Sequence, residues 1–448
     1  MDVTILNTPE LGDRSYIIHD GVDAVVIDPQ RDIARVLEAV RDNGLTIRAV
    51  GETHIHNDYV TGGLELAKRL GVPYFVNEAD DVSYERTPVS DGFTFRAGTF
   101  TITVVSTPGH TPTHISYLAV SDDGKAAVFT GGSLLYGSVG RPDLLGPEMT
   151  DFLARSQFRS VRRLADTLAD EVEVQPTHGF GSFCSSSSCE AGSTSTIGNE
   201  KRSNFALLLD DEDEFKKVLL AGLDAWPAYY RYMGPANLAG PSAYFDEVPR
   251  ELELSDVEAH LAKGSFVVDT RSAEEYAAGH IPGSHAIPLG NSFSTYLGWI
   301  VDRDRDVVLL TRNEAEALEA SRQLARISYD SVVGFHRMPD GTAVDEPRTL
   351  SVAKFADLDQ VRHKDSVVIL DVRRNDERRN SFIQGSVHIP IHELPERLAE
   401  LDGMRDKEIW VHCAGGYRAT LASSILANAG HAVVCVNDDY AAYFSSHG

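Results

Sequence analysis

The chain has 448 residues, of which 42% are hydrophobic, and its 41 basic and 67 acidic side chains give a formal net charge of -26. A chain of this length is expected to form two to four domains of about 100 to 200 residues each. No basic stripe interrupts the acidic surface, which excludes nucleic acid and anionic membranes as partners. No apolar run approaches the roughly 20 residues that span a bilayer, and no signal-peptide pattern is present, so we expect a cytoplasmic protein.

Four cysteines are too few for a disulfide framework in a chain this long. Each cysteine is therefore expected to be either a reactive thiol or a residue that packs in a core. Cys184 and Cys189 flank four serines beside His178. Without a second cysteine pair this spacing is a weak zinc signal, and two ordinary thiols in a loop are the favoured interpretation.

The first 240 residues alternate strand-like and helix-like segments. Helices are predicted over 33–43, 62–69 and 150–168, and strands over 47–53, 100–107, 115–119 and 126–129. The Ser- and Gly-rich stretch 178–204 is predicted to be a surface loop, 210–225 a helix and 235–249 a linker.

Histidines stand where several of these strands end. His54, His56 and Asp58 follow one strand, and the motifs Thr-Pro-Gly-His110 and Pro-Thr-His178-Gly come later in the chain. Side chains on such loops can converge without being buried by regular packing. Because imidazole and carboxylate groups are the usual ligands of zinc and non-haem iron, the pattern predicts a metal site.

Together with Val-Phe-Thr-Gly131 and Val-Gly-Arg141-Pro-Asp143, these motifs resemble the metallo-β-lactamase superfamily, within it the branch of persulfide dioxygenases and glyoxalase II. The resemblance implies an αββα sandwich over residues 1–240. It implies metal ligands at His54, His56 and His110, with His178 and Asp58 in a second site. Asp58 is also a candidate catalytic residue, and Arg141 a candidate substrate-binding residue.

Two positions depart from that pattern. Tyr59 replaces an expected histidine ligand and Gly132 an expected bridging aspartate, so a binuclear centre is not expected. Three imidazoles with an open position suit zinc, whereas non-haem iron normally takes two histidines and a carboxylate. We expect one metal ion, iron or zinc, with a metal-free domain retained for its fold as the alternative. Tyr59 either packs or hydrogen-bonds a water or an oxyanion.

The second half of the chain contains an internal repeat. Phe-Val-Val-Asp269-Thr-Arg271 recurs 102 residues later as Val-Ile-Leu-Asp371-Val-Arg373, and each is followed by a His-, Pro- and Gly-containing turn. Each copy is predicted to be a small parallel α/β domain, over 250–346 and over 349–448.

A loop in the second copy carries a cysteine between a predicted strand and helix. Amides and the positive end of a helix dipole stabilise a thiolate at such a place, and Arg418 adds a fixed cation. This Cys-x-x-x-x-Arg loop, with the Asp371-Val-Arg373 strand end, resembles the rhodanese family, although Asp438-Asp439 replaces a frequent glycine pair. The resemblance implies that Cys413 carries a persulfide and that Arg418 and the loop bind substrate, the loop residues being Ala414, Gly415, Gly416 and Tyr417. The alternative is a buried cysteine that only ends a core strand.

The first copy has Leu310-Thr-Arg312-Asn-Glu314 at the corresponding place and no cysteine. Without a thiol it cannot carry sulfur, so it is predicted to be a silent rhodanese-like domain with a structural or docking role.

Three functions remain open from the sequence. The leading hypothesis is a sulfur-metabolism enzyme that resembles persulfide dioxygenase-rhodanese fusions and takes sulfane sulfur from a thiol persulfide or thiosulfate through Cys413. The second is thioester hydrolysis of the glyoxalase II type at a three-histidine zinc site. The third is a metal-free binding or assembly module joined to an active rhodanese. The sequence leaves a homo-oligomer open.

Overall fold

The computed structural model describes residues 1–185, 194–339 and 347–447. The chain divides into two units, residues 1–246 with 325–328 and residues 247–324 with 329–448. No helix in these described ranges is both long and apolar enough to cross a membrane.

Two six-stranded sheets form the centre of the first unit. The first sheet runs in sequence order, with antiparallel pairing between its first three strands and parallel pairing after them. Its strands are β1 (Asp2–Thr8), β2 (Asp13–His19), β3 (Asp23–Ile27), β4 (Thr46–Gly51), β5 (Tyr74–Asn77) and β6 (Thr87–Val89).

The second sheet has the order β14-β13-β10-β9-β8-β7. Its strands are β7 (Thr94–Ala97), β8 (Phe100–Ser106), β9 (Ile115–Ser121), β10 (Ala126–Gly131), β13 (Glu173–Pro176) and β14 (Ser195–Thr196). A separate antiparallel pair is formed by β11 (Leu134–Leu135) and β12 (Ser138–Val139).

Helices cover the outer faces of both sheets. They are α1 (Ala34–Asp42), α2 (Gly63–Leu70), α3 (Pro147–Thr167), α4 (Ile197–Ser203), α5 (Phe205–Leu208), α6 (Glu212–Ala221) and α7 (Tyr230–Ala239). Tyr16 and Phe75 of the first sheet meet Phe100 and Phe129 of the second in one buried cluster between the sheets. Separate clusters join each sheet to its helices. Apolar residues on both faces of each sheet therefore produce four layers, and the predicted αββα sandwich is confirmed.

Part of the predicted loop 178–204 is regular structure, because β14 and α4 occupy 195–203. The side chain of Thr196 caps α4 by accepting from the Asn199 amide. Glu200 is buried and accepts from the Gly137 amide at 2.8 Å. A cap and one buried carboxylate hold this short helix, and neither produces a periodic apolar pattern.

The predicted linker 235–249 begins inside a helix, since α7 continues through Pro235 to Ala239. A proline normally ends a helix, so the sequence favoured a boundary there. Asn237, on the last turn, is buried and bonded to the histidine loop as described below. Tertiary contacts therefore outweigh the local preference.

The second unit contains two parallel sheets. The first has the order β16-β15-β17-β18, with β15 (Phe266–Asp269), β16 (His285–Ala286), β17 (Val307–Thr311) and β18 (Val332–Arg337). Its helices are α8 (Leu254–Ala262), α9 (Ala273–Ala278), α10 (Phe293–Ile300) and α11 (Glu314–Arg326).

The second parallel sheet has the order β19-β23-β22-β20-β21. Its strands are β19 (Ser351–Ala353), β20 (Val367–Asp371), β21 (Val387–His388), β22 (Glu408–His412) and β23 (Ala432–Val436). Its helices are α12 (Phe355–Val361), α13 (Asn375–Asn380), α14 (Leu394–Arg397), a 3₁₀ turn (Leu398–Met404), α15 (Tyr417–Asn428) and α16 (Tyr440–His447). In parallel sheets the carboxyl ends of all strands share one edge, which is where both repeated loops lie.

Candidate active sites

The loop after β4 presents the first histidines, and Asp28 fixes its start. The Thr53 amide and hydroxyl each donate to the Asp28 carboxylate at 2.7 Å. The Thr53 oxygen in turn lies 2.9 Å from His54 Nδ1. Asp28, with a φ of 53°, directly follows the neighbouring strand β3. The sequence prediction did not include Asp28, although a carboxylate at the end of a buried strand was a usable signal.

The far end of the loop is tied by Asn237. Its side-chain amide donates to the His56 carbonyl at 2.9 Å and to the Tyr59 carbonyl at 2.8 Å, and its oxygen accepts from the Thr61 amide at 2.9 Å. All three contacts are made to backbone. Nothing in the sequence indicates this role, because the loop shows no side-chain pattern that Asn237 would match.

The histidine cluster is completely buried. His178 Nδ1 lies 2.8 Å from Asp13 and 3.1 Å from Asp58, and its Nε2 lies 3.3 Å from His54 Nε2. Within the described ranges, four buried groups of three side chains bring their potential ligand atoms within 4.8 Å of one another. They are His54/His56/His178, His110/His178/Cys184, Asp13/Asp58/His178 and Asp28/Glu52/His56. His178 belongs to three of them, whereas the expected trio of His54, His56 and His110 is not among them.

The hydrogen bonds of these rings show which nitrogens are available to a metal. The Thr53 hydroxyl gives its hydrogen to Asp28 and so accepts from His54 Nδ1–H, which leaves the lone pair on His54 Nε2. The Asp13 carboxylate accepts from His178 Nδ1–H, and Asp58 lies 3.1 Å from the same nitrogen as an ion-pair partner. The other nitrogen of His178 is therefore directed towards His54. Two lone pairs 3.3 Å apart require a proton or a cation between them.

Without a metal, a proton fills that position. Burial opposes a charge on His178, but Asp58 and Asp13 outweigh it and raise the pKa of this imidazole well above its usual range. Burial lowers the pKa of His54, which therefore accepts from His178. The domain thus carries a His and Asp cluster in which a metal ion could take the place of this proton.

His56 is in a different environment. Its Nε2 lies 3.2 Å from both Asp28 and Glu52 and 3.0 Å from the Tyr59 hydroxyl. Burial opposes its charge, yet Asp28 and Glu52 raise the pKa of His56 to about 9. The Tyr59 ring stacks on His56 with centroids 4.2 Å apart. Tyr59 therefore both packs and hydrogen-bonds, and it supports a histidine instead of a metal. Glu52 was also missed by the sequence prediction.

Gly132 leaves no space for the missing aspartate. A Cβ atom there would lie 2.2 Å from His110 Cδ2 and 2.6 Å from its Cγ. The Gly132 amide also donates to His114 Nε2 at 3.0 Å, and His114 Nδ1 lies 2.9 Å from the Thr107 hydroxyl. The His110 ring thus occupies the position from which a bridging carboxylate would extend. His114, unassigned from the sequence, holds this loop.

Arg141 makes structural contacts at this site. Its guanidinium donates to both oxygens of Asp143, at 2.7 and 2.8 Å, and to the carbonyls of Phe183 and Asp224. Its own carbonyl accepts from His110 Nδ1 at 2.8 Å. With a buried guanidinium engaged on four oxygens, Arg141 orders the loops around His110. Asp58 lies at the cluster through His178.

The second candidate site is the loop between β22 and α15. Cys413 follows the strand directly, is 2% exposed, and its sulfur accepts from the Gly416 amide at 3.1 Å. Gly416 has a φ of 92°, and a Cβ there would lie 1.8 Å from Asn437 Oδ1, so only glycine fits. Ala414 and Gly415 are exposed. The backbone at Gly416 and at the amide end of α15 therefore surrounds the sulfur.

Arg418 is close enough to Cys413 for their charges to interact, and it is held in an ion pair. Its guanidinium binds the Glu377 carboxylate through two nitrogens, one of them at 2.8 Å from Oε1. Burial opposes the charge, but the hydrogen bond that Arg418 donates to Glu377 raises the pKa of Arg418, and Tyr296 and Cys413 contribute in the same direction. Burial opposes ionisation of Glu377 as well, and Arg418 lowers its pKa. The pair places a permanent cation beside Cys413 with its charge matched by a carboxylate.

The first copy contributes to this site. The Tyr417 hydroxyl donates to the Pro288 carbonyl at 2.8 Å, and the Tyr417 ring lies 5.5 Å from that of Tyr296. Tyr417 is therefore turned towards the first copy, while Tyr296 is near enough to Cys413 and Arg418 for their charges to act on its pKa, which burial raises. Cys435 is a second buried thiol of this domain, on β23 and 3.5 Å from the Thr420 hydroxyl. Cys189 lies outside the described residues.

Comparisons with known proteins agree with both halves of the chain. The metallo-beta-lactamase superfamily matches residues 11–178, and the rhodanese-like domain matches residues 253–338 and 354–446. A hydroxyacylglutathione hydrolase of Rhizobium johnstonii is 28% identical over 243 residues, which cover 53% of this chain and 82% of the relative. The mitochondrial persulfide dioxygenase ETHE1 of Homo sapiens is 28% identical over 211 residues, which cover 47% of this chain and 74% of the relative.

A solved structure matches three quarters of the chain. A crystal structure of a metallo-beta-lactamase from Staphylococcus aureus aligns with a TM-score of 0.68 at 28% identity, covering 75% of this chain and 99% of that one. The family matches therefore account for the four-layered first unit and for both parallel sheets of the second. The chain belongs to the metallo-β-lactamase superfamily through its first domain and carries two rhodanese-like domains after it.

Proposed function

We propose that this protein transfers sulfane sulfur through a persulfide on Cys413. The Cys413 thiolate attacks the outer sulfur of a donor, the sulfur–sulfur bond of the donor breaks, and the donor leaves as a thiolate, or as sulfite when it is thiosulfate. An acceptor thiolate or cyanide then attacks the outer sulfur of Cys413, and the cysteine thiolate is restored. No external oxidant or reductant is needed, because the sulfane sulfur is transferred at an unchanged oxidation state.

The observation that carries this proposal is the loop around the sulfur. A persulfide adds one anionic sulfur beyond Sγ, and the Gly416 amide already points at Sγ from 3.1 Å. Ala414 and Gly415 are exposed residues of the same loop and form its open side. A thiol kept only for core packing has no need of this arrangement.

The charge balance favours a thiol persulfide over thiosulfate as donor. Glu377 matches the charge of Arg418, so the loop amides must bind most of the donor's negative charge. A singly charged persulfide needs less compensation than a dianion. We expect a higher kcat/KM for a small-thiol persulfide than for thiosulfate, measured with the same acceptor.

The test is sulfur transfer by the Cys413→Ser protein. Loss of the nucleophile is expected to lower transfer on the order of 10³-fold or more with either donor. Cys435→Ser is the matched control, since Cys435 is also a buried thiol of this domain but lies on β23. Retention of transfer by Cys413→Ser would reject the proposal.

For the first domain, we infer that its buried cluster binds one metal ion and acts on a related sulfur compound. A metal there would supply a Lewis acid with a free coordination position. The chain's own residues would hold the proton on His178 Nδ1, where Asp13 accepts it and Asp58 lies 3.1 Å away. Oxygen uptake with a thiol persulfide, together with bound iron, would support persulfide oxidation, the activity named for the human relative.

A second function has support from the hydroxyacylglutathione hydrolase relatives. Zinc content with hydrolysis of a glutathione thioester, and without oxygen uptake, would select thioester hydrolysis instead. Both assays are best done with Cys413→Ser, which removes sulfur transfer. Purification without metal, together with unchanged behaviour of His54→Ala in both assays, would favour the binding-module alternative.

A further inference from the structure

We propose that the Cys184 thiolate is a ligand of the metal site in the first domain, together with His110 and His178, and replaces the carboxylate that Gly132 lacks. This inference goes beyond the sulfur transfer proposed for Cys413. It rests on the metal binding inferred above for the first domain and adds a thiol to the histidine and aspartate side chains named there.

The three side chains already lie together. One nitrogen of His110, one nitrogen of His178 and the sulfur of Cys184 are within 4.8 Å of one another. All three side chains are fully buried, each at 0% exposure. Buried imidazole and thiol groups at this separation need little movement to meet one ion, because zinc lies about 2.0 to 2.3 Å from such ligands.

His110 presents a free nitrogen. Its Nδ1 lies 2.8 Å from the Arg141 carbonyl, which can only accept, so this nitrogen carries the hydrogen. The lone pair is then on Nε2, and Nε2 has no hydrogen-bond partner among the residues that the structure describes. A buried imidazole nitrogen of this kind is destabilising unless it binds an ion, a proton or a water.

Arg141 links the cysteine to this histidine. The Arg141 amide donates to the Cys184 carbonyl at 2.9 Å, while its carbonyl accepts from His110. Next to this contact, Gly140 and Ser185 form an isolated antiparallel bridge. One peptide segment therefore fixes both the histidine ring and the backbone that carries the thiol.

The absence of a side chain at position 132 explains why a thiolate is needed. A bridging aspartate would lower the net charge of the site, and the His110 ring fills its space. A Cys184 thiolate would bring one negative charge to the site. Two imidazoles and one thiolate, with an open fourth position, form a ligand set that suits zinc, and His54 Nε2 lies 3.3 Å from His178 Nε2 beside them.

The experiment uses the full-length protein, freed of metal with a chelator and reloaded with Zn²⁺ or Co²⁺ alone. X-ray absorption at the zinc edge of the Cys413→Ser protein is expected to show one sulfur at about 2.3 Å together with nitrogen ligands. The Co²⁺ form is expected to show a thiolate charge-transfer band in the near ultraviolet. Both signals should disappear in the double variant with Cys184→Ser and persist in the one with Cys435→Ser.

The outcomes separate clearly. A coordination sphere of nitrogen and oxygen only, a sulfur signal that survives Cys184→Ser, or no metal uptake would each overturn the proposal. The absorption measurement on protein with Cys184 intact is unaffected if the Cys184→Ser variant fails to fold. Sulfur transfer by the single Cys184→Ser variant, with Cys413 present, is expected to equal that of the wild type, so failure here is distinct from failure of the transfer proposal.

Discussion

The two rhodanese-like copies share a frame and differ in one loop. In the first copy Arg271 donates to Asp269 and to the Gly279 carbonyl, at 2.6 and 2.9 Å from Nη2. In the second copy Arg373 donates to Asp371 and to the Ser381 carbonyl, at 2.7 and 2.8 Å. This buried ion pair ties the end of the central strand to the following turn in both. The frame is therefore maintained whether or not the domain has a thiol.

The loops after the next strand show the difference. In the first copy only Arg312 and Asn313 separate β17 from α11, and Arg312 binds Glu275 and Glu316. In the second copy residues 413–416 separate β22 from α15, and Arg418 comes from the helix itself. Both copies keep a Glu–Arg pair, with Glu275 and Glu377 at the same repeat position. The two copies thus share the ion pair and differ in the loop, so the sulfur transfer proposed for Cys413 depends on the longer loop.

The largest effect expected from this comparison concerns the arginines. Arg418→Ala should lower sulfur transfer by about 10- to 100-fold, because it removes the cation beside Cys413 and leaves the Glu377 charge near the sulfur. Arg312→Ala is the matched change in the first copy and should leave transfer unchanged. It should alter the free energy of unfolding by less than about 1 kcal/mol, since its pair is one-third exposed. Equal losses from both variants would contradict a silent first copy.

A smaller effect is expected within the loop itself. Gly416→Ala places a Cβ against Asn437 at a left-handed backbone position, which should cost about 1 to 3 kcal/mol of stability and lower transfer. Gly415→Ala is the control, because nothing lies within 4 Å of a Cβ there. The free energy of unfolding in denaturant and the rate of sulfur transfer are measured for both variants. An equal response of the two glycines would mean that the curl around Cys413 is not required.

The smallest effect concerns pH. Burial, partly offset by Asp371, lowers the pKa of His412 to about 4. A histidine in the unfolded chain titrates near 6.5, so the unfolded chain takes up the proton first. The stability that depends on neutral His412 is thus complete above about pH 6.5 and is lost as the pH falls towards 4. The residue at this place in the first copy, paired with Asp269, is Leu310.

The variant His412→Leu makes the second copy resemble the first. It should reduce the loss of stability between pH 7 and pH 5 by about 1 to 2 kcal/mol, measured by hydrogen exchange of β22 amides. His363→Leu, at an exposed position of the same copy, should keep the wild-type pH response. No difference between the two variants would show that His412 does not control the acid sensitivity of this strand.

The sequence predicted features that are local in the chain. The strand, glycine loop and helix around Cys413 are consecutive, and the repeat could be read from Asp269 and Asp371 directly. The αββα arrangement followed from motif order through the family resemblance. Loops that converge on a strand edge were also predictable, and all four histidines expected as ligands lie in the buried groups of the cluster.

What the sequence did not predict depends on contacts between distant segments. Asn237 holds the His56 loop from 181 positions away, and Asp13 reaches His178 over 165 positions. The expected group was His54, His56 and His110, whereas the structure groups the histidines around His178. This grouping depends on which nitrogen of each ring is hydrogen-bonded. The lack of space at Gly132 depends on the orientation of the His110 ring. The spacing of residues in a sequence does not specify such an orientation.

The most direct test of the proposed sulfur transfer is to locate the transferred sulfur. Wild-type protein mixed with one equivalent of a small-thiol persulfide, quenched without acceptor and digested, should show one added sulfur atom on the peptide that contains Cys413. That sulfur should disappear when an acceptor thiol is supplied before quenching. Added sulfur found only on other cysteines, or on none, would contradict transfer through Cys413.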